Sequence, residues 1–183
     1  VVALSSEMKA FLEANRDVSP EKIAVIPNWY PDAGTPGRDK SGNRFAQELG
    51  DKFVVSYFGN MGTIQDMQTI LDAIRALKEE KDIFFLFAGH GNKLEALKEA
   101  IAKEQLSNAR VLDYLHGKDY QDALDISGAA LISLEQGTTG LCVPSKTYSY
   151  MMEGIPLLAI MDECDIVSDI RAGAGMALQN GQS

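Results

Sequence analysis

The chain has 183 residues, of which 45% are hydrophobic and 23% charged, the profile of a globular chain of one domain, or of one domain and part of another, that can bury roughly 70% of its unfolded surface. A formal net charge of -9 argues against a nucleic-acid partner, because binding a phosphate backbone needs a basic face. No apolar run approaches the ~20 residues of a membrane span, and no signal peptide is visible.

The chain opens on Val1-Val2-Ala3-Leu4-Ser5 without an initiator Met and closes on the polar Asn180-Gly181-Gln182-Ser183, which leads us to expect a piece of a longer protein. Residues 1–5 form a short apolar run expected to be a buried strand. Ser6 is the expected cap of a helix that places Met8, Phe11 and Leu12 on one face. Residues 17–20 make a turn, and residues 22–26 are the next strand, ended by Pro27-Asn28. From Asp32 to Arg44 Gly, Pro, Asp, Lys and Asn replace the apolar residues, marking a loop or linker and the best internal boundary.

Residues 53–58 are a buried-strand run that ends in Gly59-Asn60-Met61-Gly62. The following helix opens near Gln65-Asp66 and carries the stripe Met67, Ile70, Leu71, Ile74 and Leu77. A glycine-rich strand-to-helix turn lets a ligand approach the backbone, though a plain tight turn needs the same glycines; no Gly-Lys-Ser/Thr follows, so it is not the triphosphatase phosphate loop. Residues 83–88 repeat the pattern into Gly89-His90-Gly91 and a helix with Leu94, Leu97 and Ile101. His90, between two glycines and without a paired carboxylate, reads as a loop residue before a catalyst. A short strand at 110–112 leads to Tyr114-Leu115-His116-Gly117 and a helix around Tyr120, Ala123 and Leu124.

The run from Gly128 to Leu134 feeds a loop in which Glu135 is either solvated or a hydrogen-bond partner of a polar ligand. Pro144-Ser145 then opens a helix of about two to three turns, with Ser145 as its N-cap and Gly154 as its stop. Tyr148, Tyr150, Met151 and Met152 read as helix packing. Residues 155–160 are uninterruptedly apolar, a strand buried on both faces. A polar turn at Asp162-Glu163, a helix through Asp169 and a weak strand at 176–178 complete the chain. From Phe53 onward strands and helices alternate, the signature of a doubly wound α/β sheet, in which ligands sit at the carboxyl ends of the strands.

Lys146 is the odd residue, because a cation in the first helical turn faces the positive end of the macrodipole. Two readings stay open: it pairs with a phosphate held by the amides of Ser145, Lys146 and Thr147, or it swings into water. Cys142, Cys164, His90 and His116 have no metal-ligand spacing and no Asp-x-Asp pair occurs, so no metal site is expected; the cysteine usage suits a reducing cytoplasm.

Leu4-Ser5, Ile26-Pro27-Asn28, Phe58-Gly59-Asn60-Met61-Gly62, Ala88-Gly89-His90-Gly91, and Pro144-Ser145-Lys146 through Tyr150-Met151, Gly154, Pro156 and Ala159 occur in an order and spacing that resembles the carboxy-terminal, donor-binding lobe of bacterial family 4 nucleotide-sugar glycosyltransferases. These have two Rossmann-like lobes facing across a cleft, the GT-B architecture. The likeness covers nearly the whole chain and is nearest to lipopolysaccharide and capsule members, including fucosamine transferases. It implies a Rossmann-like doubly wound parallel sheet forming one GT-B lobe. Residues 1–31 would start the lobe, 32–52 form a polar loop and short helix, and 53–183 form the main nucleotide-sugar-binding region, truncated at its carboxyl end.

The function implied is a retaining, hexosyltransferase-type transfer of a sugar from a nucleotide diphosphate, with UDP expected, to an acceptor hydroxyl in cell-surface polysaccharide synthesis, without a cofactor or required metal. The expected partners are the nucleotide sugar and an acceptor saccharide or lipid-linked saccharide bound by a missing amino-terminal lobe, without which the chain would be inactive. The expected location is the cytoplasm, with room for peripheral association of the full-length protein at the inner face of the plasma membrane. Gly59, Asn60, Met61 and Gly62 would lie against the diphosphate; Gly89, His90 and Gly91 with Tyr114, Leu115 and His116 would line the base and ribose pocket. Thr138, Thr139, Gly140 and Leu141 would offer backbone and hydroxyl groups to sugar and phosphates, beside Ser145, with Lys146 and Glu135 as the catalytic candidates. Leu141 and Ser149 stand where many family members carry a pair of glutamates, the second of which holds the ribose hydroxyls. Thr63, Ile64 and Gln65 stand where an Arg and a Lys are common, leaving Lys146 as the assigned local cation. A degenerate, non-catalytic nucleotide-sugar-binding or interaction lobe is the alternative; a sugar-nucleotide epimerase would need a Ser-Gly-Gly turn, which is absent.

Overall fold

The computed structural model describes residues 1–30 and 41–182. A small parallel pair, β1 (Val2–Ala3) and β2 (Ala24–Val25), flanks helix α1 (Ser6–Asn15) and a 3-10 turn at Pro20–Lys22. After α2 (Arg44–Leu49), strands and helices alternate: β3 (Phe53–Asn60), α3 (Met67–Ala76), β4 (Ile83–His90), α4 (Leu94–Lys103), β5 (Ala109–Leu112), α5 (Gly117–Asp125), β6 (Ser127–Ser133), α6 (Lys146–Met152), β7 (Leu157–Ile160), α7 (Asp165–Asp169) and β8 (Gly175–Leu178). The six strands from β3 onward form one parallel sheet in the order β5-β4-β3-β6-β7-β8.

This topology follows from the winding. Right-handed crossovers to β4 and β5 lay α3 and α4 on one face, and the return to β6 reverses direction and puts the later helices on the other. Met67, Ile70, Leu71, Ile74 and Leu97 accordingly pack on Val55, Tyr57, Phe85 and Phe87. On the opposite face Phe45, Ala123, Leu124, Tyr150, Ile166 and Val167 pack with Val54, Phe58, Leu86, Ala88 and Ile132. Burial on both faces is why the strands read as unbroken apolar runs rather than alternating ones. The winding reverses between β3 and β6, so a crevice opens at their carboxyl ends. Among the described residues no helix is long and apolar enough to cross a membrane.

Several local expectations change. Ser5, not Ser6, caps α1, its hydroxyl accepting from the Met8 amide at 3.1 Å while Ser6 is already helical. The first run shrinks to the two residues of β1, and Val1 and Val2 are exposed; β2 is equally short and exposed. Arg44 belongs to α2, capped by the buried Asn43, and residues 31–40 of the expected linker lie outside the described residues. Both glycine-rich strand ends are ladder rather than loop: Gly59 pairs with Gly89 and Asn60 with His90. Ser145 precedes α6 with helical backbone angles and its hydroxyl makes no cap bond. Met152 is exposed, whereas Tyr150 is core, its hydroxyl accepting from the Phe58 amide at 2.9 Å.

Asp66 joins the start of α3 to the end of the chain. Its carboxylate accepts from the Thr69 amide at 2.9 Å, the Thr69 hydroxyl at 2.6 Å and Asn180 Nδ2 at 2.7 Å. Burial alone would raise its pKa, but the hydrogen bonds from Thr69 and Asn180 outweigh it and hold the group below its ordinary 3.8. Because the folded value is the lower one, this contribution is present above the ordinary aspartate range and is lost as pH falls through the folded value. Asp66→Ala should therefore cost about 1–2 kcal/mol near neutrality, and the stability gap between wild type and Asp66→Asn should shrink as denaturant titrations are carried from pH 5 down through the aspartate range. A gap that does not change with pH would contradict this account.

Candidate functional site

The carboxyl edge is built on a backbone contact. A Cβ on Gly89 would fall 1.9 Å from the Gly59 carbonyl oxygen, and one on Gly91 would fall 2.3 Å from that of Met61. Both glycines, and Gly59, have positive φ. The chains are stitched past the sheet by the Met61 amide donating to the His90 carbonyl at 2.6 Å and the Lys93 amide donating to the Met61 carbonyl at 2.9 Å. Gly89 and Gly91 thus serve the close approach of the two backbones. Gly62 differs: its amide donates to Gln65 Oε1 at 2.9 Å, and a Cβ there would press mainly on the flexible Asn60 side chain.

Between the ends of β3 and β4 and the start of α5 lies a cavity of about 270 Å³ lined by Phe58, Gly59, Tyr114, Leu115, His116 and Tyr120, among others. Its rim is aromatic. Tyr114 packs on His116 at 4.6 Å between ring centres and meets His90 edge-on at 5.7 Å. Tyr114 is 54% exposed, so the rim keeps a free apolar surface. Tyr120 is wedged edge-on to Phe58 at 5.9 Å, and burial raises its phenol to about 12, with the Ser149 hydroxyl beside it acting the other way. Ser149 itself donates to the Lys146 carbonyl at 2.9 Å.

The loop after β6 stands apart from this cavity. Glu135 donates its amide to the Ile64 carbonyl at 2.8 Å and its carboxylate pairs with Lys93 Nζ at 2.5 Å; Lys93 also donates to the Gln65 carbonyl. The Thr138 amide and hydroxyl both bond the Glu135 carbonyl, and the Leu141 amide bonds that of Thr138. A short bridge joins Thr139 to Cys142. Gly140 (φ 91) packs on α1, where a Cβ would fall 3.0 Å from the Glu7 carbonyl. Leu141 is half exposed. Glu135 is therefore paired with Lys93 at an edge that leaves its side chain 41% exposed.

Lys146 follows neither simple reading. Its amine is shut off from solvent, has no hydrogen-bond partner among the described residues, and lies 3.5 Å above the centre of the Tyr57 ring. Burial lowers its pKa to about 7. A solvated lysine is excluded by this placement. The Thr147 amide expected to hold phosphate already bonds the Pro144 carbonyl at 3.1 Å, because the chain enters α6 through a tight turn. Among the described residues no group of three His, Cys, Asp or Glu side chains could hold a metal ion.

Sequence reasoning missed Lys93, Tyr57 and Tyr120. Lys93 carried the signal that singled out Lys146, a cation at a helix start, so Lys146 is not the sole cation at this edge. Tyr57 and Tyr120 were indistinguishable from core aromatics.

No protein-family model matches the chain. It is similar to the probable glycosyltransferase WbjE of Pseudomonas aeruginosa, with 30% identity over 173 residues that cover 93% of this chain and 42% of that protein. Its fold matches WaaG, a glycosyltransferase involved in lipopolysaccharide biosynthesis, with a TM-score of 0.76 and 16% identity over 100% of this chain and 50% of the other. It also matches Anabaena Alr3699/HepE in complex with UDP-glucose, with a TM-score of 0.75 and 17% identity over 99% and 50%. The chain thus spans about half the length of these proteins and has the fold of one Rossmann-like lobe of a GT-B glycosyltransferase.

The backbone contact at the strand ends sets a sharp contrast. Gly89→Ala combines a backbone clash with a strained φ and should cost about 3 kcal/mol or more, whereas Gly62→Ala should cost less than about 1 kcal/mol, since a side chain can move aside. Urea midpoints measure both; equal midpoints for the two variants would refute the assignment.

Proposed function

We propose that this chain is the donor-binding lobe of a glycosyltransferase that takes its sugar from a nucleotide diphosphate, with UDP as the nucleotide. The observation that carries the reading is the buried Lys146 amine, unpartnered among the described residues, beside Gly59, which lines a cavity together with Tyr114 and His116, with His90 meeting Tyr114 edge-on. An aromatic surface suits a nucleobase, and a cation held a short distance away suits the diphosphate. In the transfer the sugar–phosphate bond breaks and negative charge grows on the departing diphosphate. Lys146 stabilises that charge. The similarity to WbjE, a probable glycosyltransferase, supports the transfer, and the UDP-glucose complex of HepE supports this choice of donor.

The finer reading is a family 4, retaining, metal-independent, hexosyltransferase-type enzyme of lipopolysaccharide or capsule synthesis, related to fucosamine transferases. Its acceptor, a saccharide or lipid-linked saccharide, binds an amino-terminal lobe in the whole protein, at the cytoplasmic face of the membrane. The likeness to WaaG, a glycosyltransferase involved in lipopolysaccharide biosynthesis, favours cell-surface glycan work. Gly59 to Gly62, Gly89 to Gly91, Tyr114 to His116 and Ser145 make the donor contacts within residues 53–183. Thr138 to Leu141 would need the loop after β6 to rearrange, since the amides of Thr138 and Leu141 are already bonded. Ser149 and Leu141 favour a second reading, a lobe that binds the nucleotide sugar without catalysis, because neither offers a carboxylate to the ligand.

Calorimetry with UDP tests the donor reading. Lys146→Ala should weaken binding about 10- to 150-fold, the loss of a charge-assisted contact of roughly 1.5–3 kcal/mol, and Tyr114→Ala about 2- to 12-fold through loss of ring contact. Unchanged affinity in both variants would remove the site. Binding should also persist in EDTA, and an affinity that collapses on chelation and returns with magnesium or manganese would overturn the metal-independent reading. The isolated chain should not transfer sugar to a lipid acceptor, and sustained product formation would show that the lobe is sufficient alone.

A further inference from the structure

The seat of the Lys146 amine is built with some care. Tyr57 is fully buried, its hydroxyl donates to the Asn60 carbonyl at 2.9 Å, and Phe87 packs beside it at 6.2 Å. The ring is therefore fixed to the strand that runs through Gly59. The amine and its Cε lie 3.5 Å from the point a Cβ on Gly59 would occupy, so the amine is held against the backbone that lines the cavity. A ring face attracts a cation, while burial opposes the charge, and burial prevails, lowering the amine to about 7. Among the described residues the titratable groups facing it are Tyr57 from β3 and Cys142 from the loop before α6. Burial raises both above their ordinary values, so each is neutral at neutral pH and supplies no anion.

We propose that Tyr57 is a positioning residue for donor binding: its ring parks the Lys146 amine against Gly59, and an arriving nucleotide diphosphate draws that amine off the ring as an ammonium, so donor and proton bind together. The inference rests on Lys146 as a donor-phosphate contact. No covalent bond to the donor changes; the amine lone pair takes a proton from solvent and the ammonium pairs with a phosphate oxygen. At pH 8 roughly nine in ten parked amines are neutral, so binding takes up about 0.9 proton, and affinity falls about tenfold between pH 6 and pH 8.

The experiment titrates UDP-glucose, whose diphosphate has no proton to lose near neutrality, into the chain at pH 8 in two buffers of different ionisation enthalpy. Alongside it, the Lys146 13Cε signal is followed against pH in the free protein. Wild type should take up about 0.9 proton and Lys146 should titrate near 7. Lys146→Met should bind more weakly and take up none, which assigns the proton to this side chain rather than to His90 or His116. Tyr57→Phe keeps the ring face and the uptake. Tyr57→Leu, verified as folded by circular dichroism, frees the amine to solvent, and uptake and pH dependence should largely vanish. A Lys146 midpoint near 10.5, no uptake by wild type, or undiminished uptake by Tyr57→Leu overturns the parking role even where Lys146→Met weakens binding. Equal affinity of Lys146→Met and wild type, or no binding of UDP-glucose, defeats the donor reading itself. Should Tyr57→Leu fail to fold, the Lys146 midpoints in wild type and Tyr57→Phe decide the matter.

Discussion

At the carboxyl ends of β3 and β4 two backbones run closer together than a side chain would permit, with Gly89 against the Gly59 carbonyl and Gly91 against that of Met61. Everything at this edge depends on that approach. It lets the ladder continue through Asn60 and His90, it fixes the Met61 carbonyl as acceptor for the start of α4, and it thereby sets where Lys93 emerges. It also keeps Gly59 flush with the cavity wall, leaving room for the Lys146 side chain that crosses from α6. Positive φ at these glycines is one part of the requirement and the missing Cβ is the other, so no other residue type satisfies both.

Charge at the edge is arranged as an unequal pair. Lys93 and Lys146 both stand at helix starts, where the macrodipole disfavours a cation. Lys93 is answered by the Glu135 carboxylate and the Gln65 carbonyl. Among the described residues Lys146 is answered by the face of Tyr57 alone. A protein with a net charge of -9 does not attract anions over its whole surface, so an anion site on it must be local. One compensated and one uncompensated cation on either side of a glycine-lined strand end make such a locality. Its cost is a buried amine that burial partly neutralises.

The alternation of elements was legible because each parallel strand is buried on both faces and so is written as an unbroken apolar run, while the helices keep a stripe such as Met67, Ile70, Leu71 and Ile74. The edge that could take a ligand was legible too, since all the strands of the main sheet point the same way. The errors were local. A hydroxyl before a helix was read as a cap at Ser6 and Ser145, yet a cap depends on backbone angles that the residue type does not report: Ser5 is extended and caps, Ser145 is helical and does not. The glycines were recognised as special, but their partner turned out to be another strand's backbone.

What the amino-acid sequence determined by itself was the order of strands and helices, the doubly wound plan and the oddness of a lysine at the start of α6, because these follow from patterns within a few neighbouring residues. What only the tertiary structure decided was which polar groups already have partners. Glu135 is committed to Lys93, the Thr147 amide to Pro144 and Gly62 to Gln65, whereas Lys146 rests on a ring from a distant strand. Burial and hydrogen bonding are properties of what packs against a group, and that is settled by residues far along the chain rather than by those beside it.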